Sequence, residues 1–249
     1  MKGMILAAGI GSRLKPWTDH HPKALVTLGG IPMLRHAINA LTKAGITDII
    51  INVHHKADQI LEYLRENPTP GVKIIVSDET KQLLDTGGAI VNVTSLIGDE
   101  PVLIYNADIF CTLDLSFLVH THIQSNHDVT MLVSDRKSTR RLIFNKDFLL
   151  KGWINIPENK TLPEDLSIKD EDMQLSYNGI QILNPHAVNV LTTLHPTGPF
   201  PIIPAYLKLI NKIKIAGFNP GVSTYGWVDI GTPEKLELAQ EIFRTLTGR

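Results

Sequence analysis

Cysteine is almost missing from this chain of 249 residues: Cys111 is the only one, so no disulfide can form within the chain. A disulfide-stapled scaffold is excluded, and a reducing compartment is expected. In "NADIFCTLD" the thiol reads as a small, partly buried hydrophobe, not as a nucleophile. An excess of either charge is missing too. Lys and Arg together number 24 against 25 Asp and Glu, a formal charge of -1. Proteins that neutralise nucleic-acid phosphates carry a basic excess, so no nucleic-acid partner is expected. A small anion is still possible, because it needs only a local cluster of charge. No run reaches the roughly 18 apolar residues of a membrane helix, and the first residues lack the long apolar region and cleavage site of a signal peptide. The expectation is a cytoplasmic protein with no membrane partner, monomeric or a homodimer. Repeats and low-complexity tracts are absent as well.

Hydrophobic residues make up 43% and charged residues 20%, which suits a soluble protein with a full-sized core. Met4 to Ala8, "DIIINV", "VKIIVSD" and "PVLIYNAD" read as strands, separated by the helical patterns "MLRHAINALTKAGI" and "KADQILEYLREN". "AIVNVTSLIG" reads as a further helix, with "TGG" just before it. Strands alternating with helices predict an α/β fold: a Rossmann-like mixed, mostly parallel sheet with helices on both faces. Further on, "DVTMLVSDR", "RRLIFNKDFLLKGW", "LSYNGIQILNP", "KIAGFNPG" and "STYGWVDIG" read as strands. "HAVNVLTTL", "PIIPAYLKLINK" and "TPEKLELAQEIFRTL" read as helices, the last with Thr232 as N-cap and Lys235 where a capping box would place Glu or Gln. The expected organisation is a single domain over 1–249 with an irregular polar insertion near 154–174.

Three stretches point to phosphates. "LAAGIGSRL" is a strand running into Gly9 and Gly11, with Leu14 where the dinucleotide fingerprint needs its third glycine. No Gly-Lys-Ser/Thr follows, so it is not a Walker A loop either. What is left is a glycine turn whose amides can converge on an anion, with Arg13 and Lys23 adding positive charge. "LLDTGGAIVNV" places Thr86, Gly87 and Gly88 before a helix, where free amides could receive a ligand. Asp108 in "YNAD" and Asp229 in "GWVDIGTP" each end a strand, and two carboxylates there could hold magnesium beside phosphate oxygens. Each stretch alone is also consistent with a plain turn or cap. Their convergence at one sheet edge favours a site.

The stretch "LAAGIGSRLKPWTDHHPKAL" resembles the signature of the sugar-1-phosphate nucleotidyltransferases, L-A-A-G-x-G-x-R-L-x-P-x-T followed by P-K-x-L. "LLDTGGAI" resembles their base-binding segment, "YNAD" their first metal aspartate and "GWVDIGTP" their second. The resemblance implies transfer of a nucleotide from a nucleoside triphosphate to a sugar 1-phosphate, giving an NDP-sugar and pyrophosphate. The sugar phosphate attacks the α-phosphorus in line, with no covalent enzyme intermediate. It also implies roles by position. Gly9 and Gly11 wrap the phosphates, Arg13 holds the leaving pyrophosphate, and Lys23 neutralises charge at the α-phosphate. Asp108 and Asp229 bind Mg2+. Ala7, Ala8, Thr86, Gly87 and Gly88 line the nucleoside site, and Asn178 and Gly179 in "SYNGI" approach the sugar.

The Glu-Lys-Pro segment whose lysine contacts the sugar phosphate in many members is missing. "LKGWINIPENK" offers only Lys151 and Lys160, and Arg136, Lys137, Arg140 and Arg141 in "DRKSTRR" read first as a basic surface turn. The short length and "DTGGAI" most resemble the N-acetylmuramate-1-phosphate uridylyltransferases, with the heptose- and mannose-1-phosphate guanylyltransferases next. His54 and His55 in "NVHH" read first as polar loop histidines at a strand end, with a place facing the nucleotide as the alternative. Phosphocholine cytidylyltransferases and a silent nucleotide-sugar sensor or regulatory subunit are the other readings.

Overall fold

The computed structural model describes residues 1–221 and 225–247. The chain divides into two compact units: Met1–Leu84, Ile104–Leu115 and Tyr225–Arg249 form the first, Asp85–Leu103 and Ser116–Thr224 the second. The fold class is α/β.

In the first unit the strand order runs from Lys2–Leu6 through Asp48–Val53 to Lys73–Asp78. Lys2–Leu6 and Asp48–Val53 pair in parallel, Met4 opposite Ile50, and Asp48–Val53 pairs in parallel with Lys73–Asp78. A strand flanked on both sides and covered on both faces should be apolar throughout. After Asp48, every residue of "DIIINV" is buried, Asn52 included. Lys73–Asp78 ends the order and is only half-buried. Helix Met33–Lys43 buries Leu34, Ala37, Ile38 and Leu41, the face its spacing predicts. It closes with Gly45 at φ +82°, whose amide donates to Thr42 while that of Ile46 donates to Leu41. These two bonds are a Schellman cap, and the left-handed φ is why glycine stands there.

A second core of this unit joins segments far apart in the chain. Leu14, Val26, Leu28, Met33, Phe110, Val228, Ile230 and Ala239 are buried together, with Leu236, Ile242 and Phe243 packed on them. His36, Phe110 and Phe243 meet with ring centroids 5.4–5.9 Å apart. This packing ties the glycine turn, the strand Ile109–Cys111 and the helix Pro233–Thr247 together. Of the predicted strand "STYGWVDIG", the structure gives Trp227–Asp229; Ser223 and Thr224 lie outside the described residues.

The second unit is largely antiparallel. Met173–Leu183 pairs antiparallel with both Val129–Ser134 and Arg140–Phe144, and Arg140–Phe144 pairs with Leu150–Asn155. Ile215–Phe218 adds a parallel pair to Val129–Ser134. Asn184 caps helix Pro185–Leu194 by accepting from the Ala187 amide. The polar stretch near 154–174 contains a short strand, Lys160–Leu162, paired with Leu150–Asn155. Lys151 Nζ anchors the loop beyond it, at 2.6 Å from the buried Asp172 carboxylate and 3.3 Å from the Ser167 carbonyl. Lys151 is thereby committed to this loop. Among the described residues no helix is long and apolar enough to cross a membrane.

Candidate functional site

The first unit gathers the charged candidates. Its opening strand ends at Leu6, and the amide of Ala7 donates to Asn52 Oδ1 at 2.7 Å. Asn52 Nδ2 in turn donates to Glu79 Oε1 at 2.8 Å, and the Leu84 amide donates to Glu79 Oε2 at 3.1 Å. Asn52 and Glu79 are both buried, so this chain of bonds fixes the start of the glycine turn against the loop after Asp78. Burial pushes the Glu79 carboxyl up, against the hydrogen bonds from Asn52 and Leu84. Ala7 and Ala8 are buried.

The two glycines of the turn differ. Gly9 is exposed and has nothing within 4 Å of where a Cβ would stand, leaving its backbone open to a ligand. Gly11 sits at φ +69°, and a Cβ there would lie 2.9 Å from Lys23 Cβ and 3.0 Å from Thr18 Cγ2. Its carbonyl accepts from Thr18 Oγ1 at 2.9 Å. Gly11 therefore lets the stem of Lys23 pass close to the turn. Lys23 Nζ then meets Asp108 Oδ2 at 2.5 Å, with side-chain exposures of 12% and 30% that leave the carboxylate the more accessible partner.

Asp229 stands opposite Ile109 in an antiparallel pair, and the Ile230 amide donates to the Asp108 carbonyl at 2.7 Å. The two aspartates are thus on adjacent backbone segments. Both Asp229 oxygens accept from Lys235 Nζ, at 2.6 and 2.7 Å. A Cβ on Gly231 would lie 3.1 Å from Arg13 Nη2 and 3.4 Å from Asp229 Oδ2, so Arg13 belongs to the same cluster. The donors suit magnesium, which takes one or two carboxylates and completes its shell with water and phosphate oxygens. No group of three or more His, Cys, Asp or Glu is assembled for a metal among the described residues.

In the second unit one expectation needs correcting. Thr86, Gly87 and Gly88 do not precede a helix; they are in the first turn of helix Asp85–Asn92. Their amides are not free. Gly87 and Gly88 donate to the Phe200 carbonyl at 2.9 and 3.2 Å, and Thr86 to Asp85 Oδ1 at 2.6 Å. Thr86 Oγ1 accepts from the Ile202 amide, and a Cβ on Gly87 would strike the Phe200 ring at 2.2 Å. The unpaired amides of a helix start are here satisfied by neighbouring chain instead of a ligand.

Asn178 and Gly179 lie at a register shift in the strand Met173–Leu183, where Gly179 has φ +74°. The Asn178 side chain is fully buried and faces Ser134 and Arg136, not solvent. Arg136 is no solvated turn residue: its Nε donates to Asn178 Oδ1 at 3.1 Å and its Nη2 to the Tyr177 carbonyl at 2.9 Å. Arg141 is likewise fixed by Asp135 and the Gln174 carbonyl, while Arg140 and Lys137 are exposed. In the first unit, His55 Nε2 lies 3.2 Å from the Thr18 carbonyl. Burial pushes the Cys111 thiol up to about 12, as suits a small, partly buried hydrophobe.

Sequence reasoning missed Asn52, Glu79 and Lys235. Asn52 had a signal, a polar residue inside a continuous apolar strand. Lys235 had a weaker one, a cation in the first turn of a helix.

The nucleotidyl transferase family model matches residues 2–142, more than half of the chain. The chain belongs to the nucleotidyl transferase family. Among curated relatives, the N-acetylmuramate alpha-1-phosphate uridylyltransferase of Caulobacter vibrioides is 28% identical over 93% of this chain and 92% of its own length. The protein of the same name from Neisseria meningitidis is 28% identical, with 97% and 98% covered. The mannose-1-phosphate guanyltransferase of Yarrowia lipolytica is 29% identical, but this chain spans only 61% of it. Two solved structures share the fold. HddC from Yersinia pseudotuberculosis, solved with GMP-PN, has a TM-score of 0.74 at 23% identity, covering 97% of this chain and 99% of its own. A UDP-glucose pyrophosphorylase solved with UDP-glucose has a TM-score of 0.78 at 18% identity, covering 98% of each chain. Nucleotidyl transferases thus resemble this chain along nearly its whole length.

Proposed function

We propose that this nucleotidyl transferase joins a nucleoside triphosphate to a sugar 1-phosphate, releasing pyrophosphate. One observation supports this most directly: Arg13, Lys23, Asp108 and Asp229 belong to one cluster, with the Lys23 stem packed beside Gly11 of the glycine turn. A phosphate oxygen of the sugar 1-phosphate forms a bond to the α-phosphorus while the bond to the β-phosphate oxygen breaks. The nucleophile is already an anion, so no base has to remove a proton. The protein's work is positioning and charge neutralisation. Arg13 is assigned to the departing pyrophosphate and Lys23 to the α-phosphate. Asp108 and Asp229 are assigned to Mg2+, which when bound supplies Lewis-acid polarisation of the phosphoryl oxygens. Ala7, Ala8, Gly9 and Gly11 are assigned to the nucleotide. Thr86, Gly87 and Gly88 are assigned to the nucleoside as packed backbone rather than free donors. Gly179 is assigned to the sugar, with Asn178 acting through Arg136. On this reading both units, residues 1–249, serve one reaction.

For the substrate pair we favour UTP and N-acetylmuramate 1-phosphate, because relatives of that name align over 92% and 98% of their own length. The mannose-1-phosphate guanyltransferases, of similar identity, make GTP with mannose 1-phosphate the second reading. The test is pyrophosphate release with Mg2+ across UTP, GTP, CTP and dTTP against a panel of sugar 1-phosphates and phosphocholine. A productive UTP and N-acetylmuramate 1-phosphate pair is expected. Silence across the panel with nucleotide still bound would overturn the enzyme reading in favour of a nucleotide-sugar sensor.

A further inference from the structure

Lys235 breaks a local rule. It lies in the first turn of helix Pro233–Thr247, behind the Thr232 cap, where its amide reaches Thr232 Oγ1 at 3.4 Å. The positive end of the helix dipole disfavours a cation there, and acidic residues are the usual occupants. The compensation is Asp229, whose two oxygens both accept from Lys235 Nζ at 2.6 and 2.7 Å. No other ion pair to Asp229 is present among the described residues. An ammonium bridging the two oxygens of a carboxylate occupies the side between them and opposes, by its charge, a second cation at that carboxylate.

We propose that Lys235 is the resting counter-ion of Asp229, and that a divalent cation ligates Asp229 only by displacing it. This rests on the assignment of Asp229 to the metal. The rest of the cluster sharpens the consequence. Asp108 is paired with Lys23 through one oxygen, Oδ2, and Arg13 stands beside Gly231, so two carboxylates face three cations. Such a cluster repels a bare divalent ion and attracts a polyphosphate. Metal is therefore bound weakly alone and well with the triphosphate that neutralises the displaced ammonium. Lys235 has 41% side-chain exposure, which leaves it room to swing towards that anion. Lys235 is a positioning residue: it acts through Asp229.

The experiment measures Mn2+ binding in the absence of nucleotide, by the resonance signal of the free ion, for the full chain and for Lys235→Met, Lys235→Arg, Lys43→Met and Asp229→Asn. A half-exposed ion pair contributes about 0.2–1 kcal/mol, so Lys235→Met should tighten Mn2+ about 1.4- to fivefold. Lys235→Arg, which keeps the charge, and Lys43→Met, which removes an exposed lysine paired elsewhere with Asp114, should bind as the parent does. As a second readout, acetylation of Lys235 by an amine-reactive ester in the unaltered protein should speed up when Mn2+ saturates the site. This readout survives even if Lys235→Met fails to fold. If Asp229→Asn weakens Mn2+ while Lys235→Met leaves it unchanged or weaker, the counter-ion proposal falls and the metal assignment stands. If Asp229→Asn has no effect on Mn2+, both fall. Acetylation indifferent to Mn2+ also overturns the proposal.

Discussion

Gly9 and Gly11 offer a paired test, because the structure gives them different reasons to be glycine. An alanine at Gly11 must hold φ near +69° and bring its Cβ to 2.9 Å from Lys23 Cβ and 3.0 Å from Thr18 Cγ2. The left-handed conformation costs a non-glycine residue roughly 1–2 kcal/mol, and overpacking against buried neighbours typically adds about 1–3. Gly11→Ala should therefore lose about 2–5 kcal/mol of stability. It should also lose turnover, because the relief available is a shift of the Lys23 stem that breaks the 2.5 Å pair with Asp108. Gly9→Ala meets nothing within 4 Å, and its φ is not left-handed. There, alanine restricts only the unfolded chain, so stability should be unchanged or rise by up to about 1 kcal/mol. The methyl group instead obstructs a phosphate, so KM for the triphosphate should rise. Urea unfolding and pyrophosphate release on both variants read all four quantities. A Gly11→Ala protein as stable as the parent would refute the packing argument. Unchanged KM in Gly9→Ala would refute the claim that this open backbone receives phosphate.

Asp108→Asn should lower turnover by orders of magnitude while far-ultraviolet dichroism stays that of the parent; near-normal turnover would remove Asp108 from the metal assignment. Asn52→Ala strands the Ala7 amide and Glu79 Oε1 without partners in a buried setting, a loss of about 2–6 kcal/mol at roughly 1–3 per group. A loss below about 1 kcal/mol in urea unfolding would show that Asn52 does not hold the turn. His122 is buried against Thr130 Oγ1, and burial pushes its imidazole down to about 4. The unfolded chain, with an ordinary histidine near 6.5, then binds the extra proton first, so stability present above pH 6.5 is lost as pH falls towards 4. Between pH 7 and 4.5 this amounts to about 2–3 kcal/mol, and His122→Gln should flatten that part of the pH dependence. An unchanged slope in the variant would refute it.

Local pattern carried much of the first unit. The apolar run of "DIIINV", the helical spacing of Leu34, Ile38 and Leu41, and Gly45 after the last turn each state a local preference that the tertiary structure keeps. The glycines, basic residues and aspartates of the cluster were legible because their residue types have few other uses in that combination. The "TGG" segment was misread for an equally physical reason. Whether an amide at a helix start is free depends on what packs on it, and Phe200, whose carbonyl takes the Gly87 and Gly88 amides, lies far along the chain. The same holds for Arg136, which looked like part of a solvated charged turn until Asn178 and the Tyr177 carbonyl supplied its partners.

Asn52 and Lys235 carry this argument a step further, because each violates a local rule that the rest of its element obeys. A buried amide in an all-apolar strand is costly unless every polar atom is satisfied, and Asn52 is satisfied only by the Ala7 amide on one side and Glu79 on the other. A lysine in the first turn of a helix is costly unless an anion stands before it, and that anion is Asp229. In both cases the compensating group belongs to a segment assigned to the nucleotide or the metal. The two exceptions to local preference thus fall where the charge cluster is built, and they hold its parts: Asn52 holds the backbone assigned to the phosphate, and Lys235 pairs with the carboxylate assigned to the cation. If the residues were there for stability alone, replacing either with an apolar residue of similar size would change folding and leave ligand affinity untouched. The Mn2+ affinity of Lys235→Met separates these two cases.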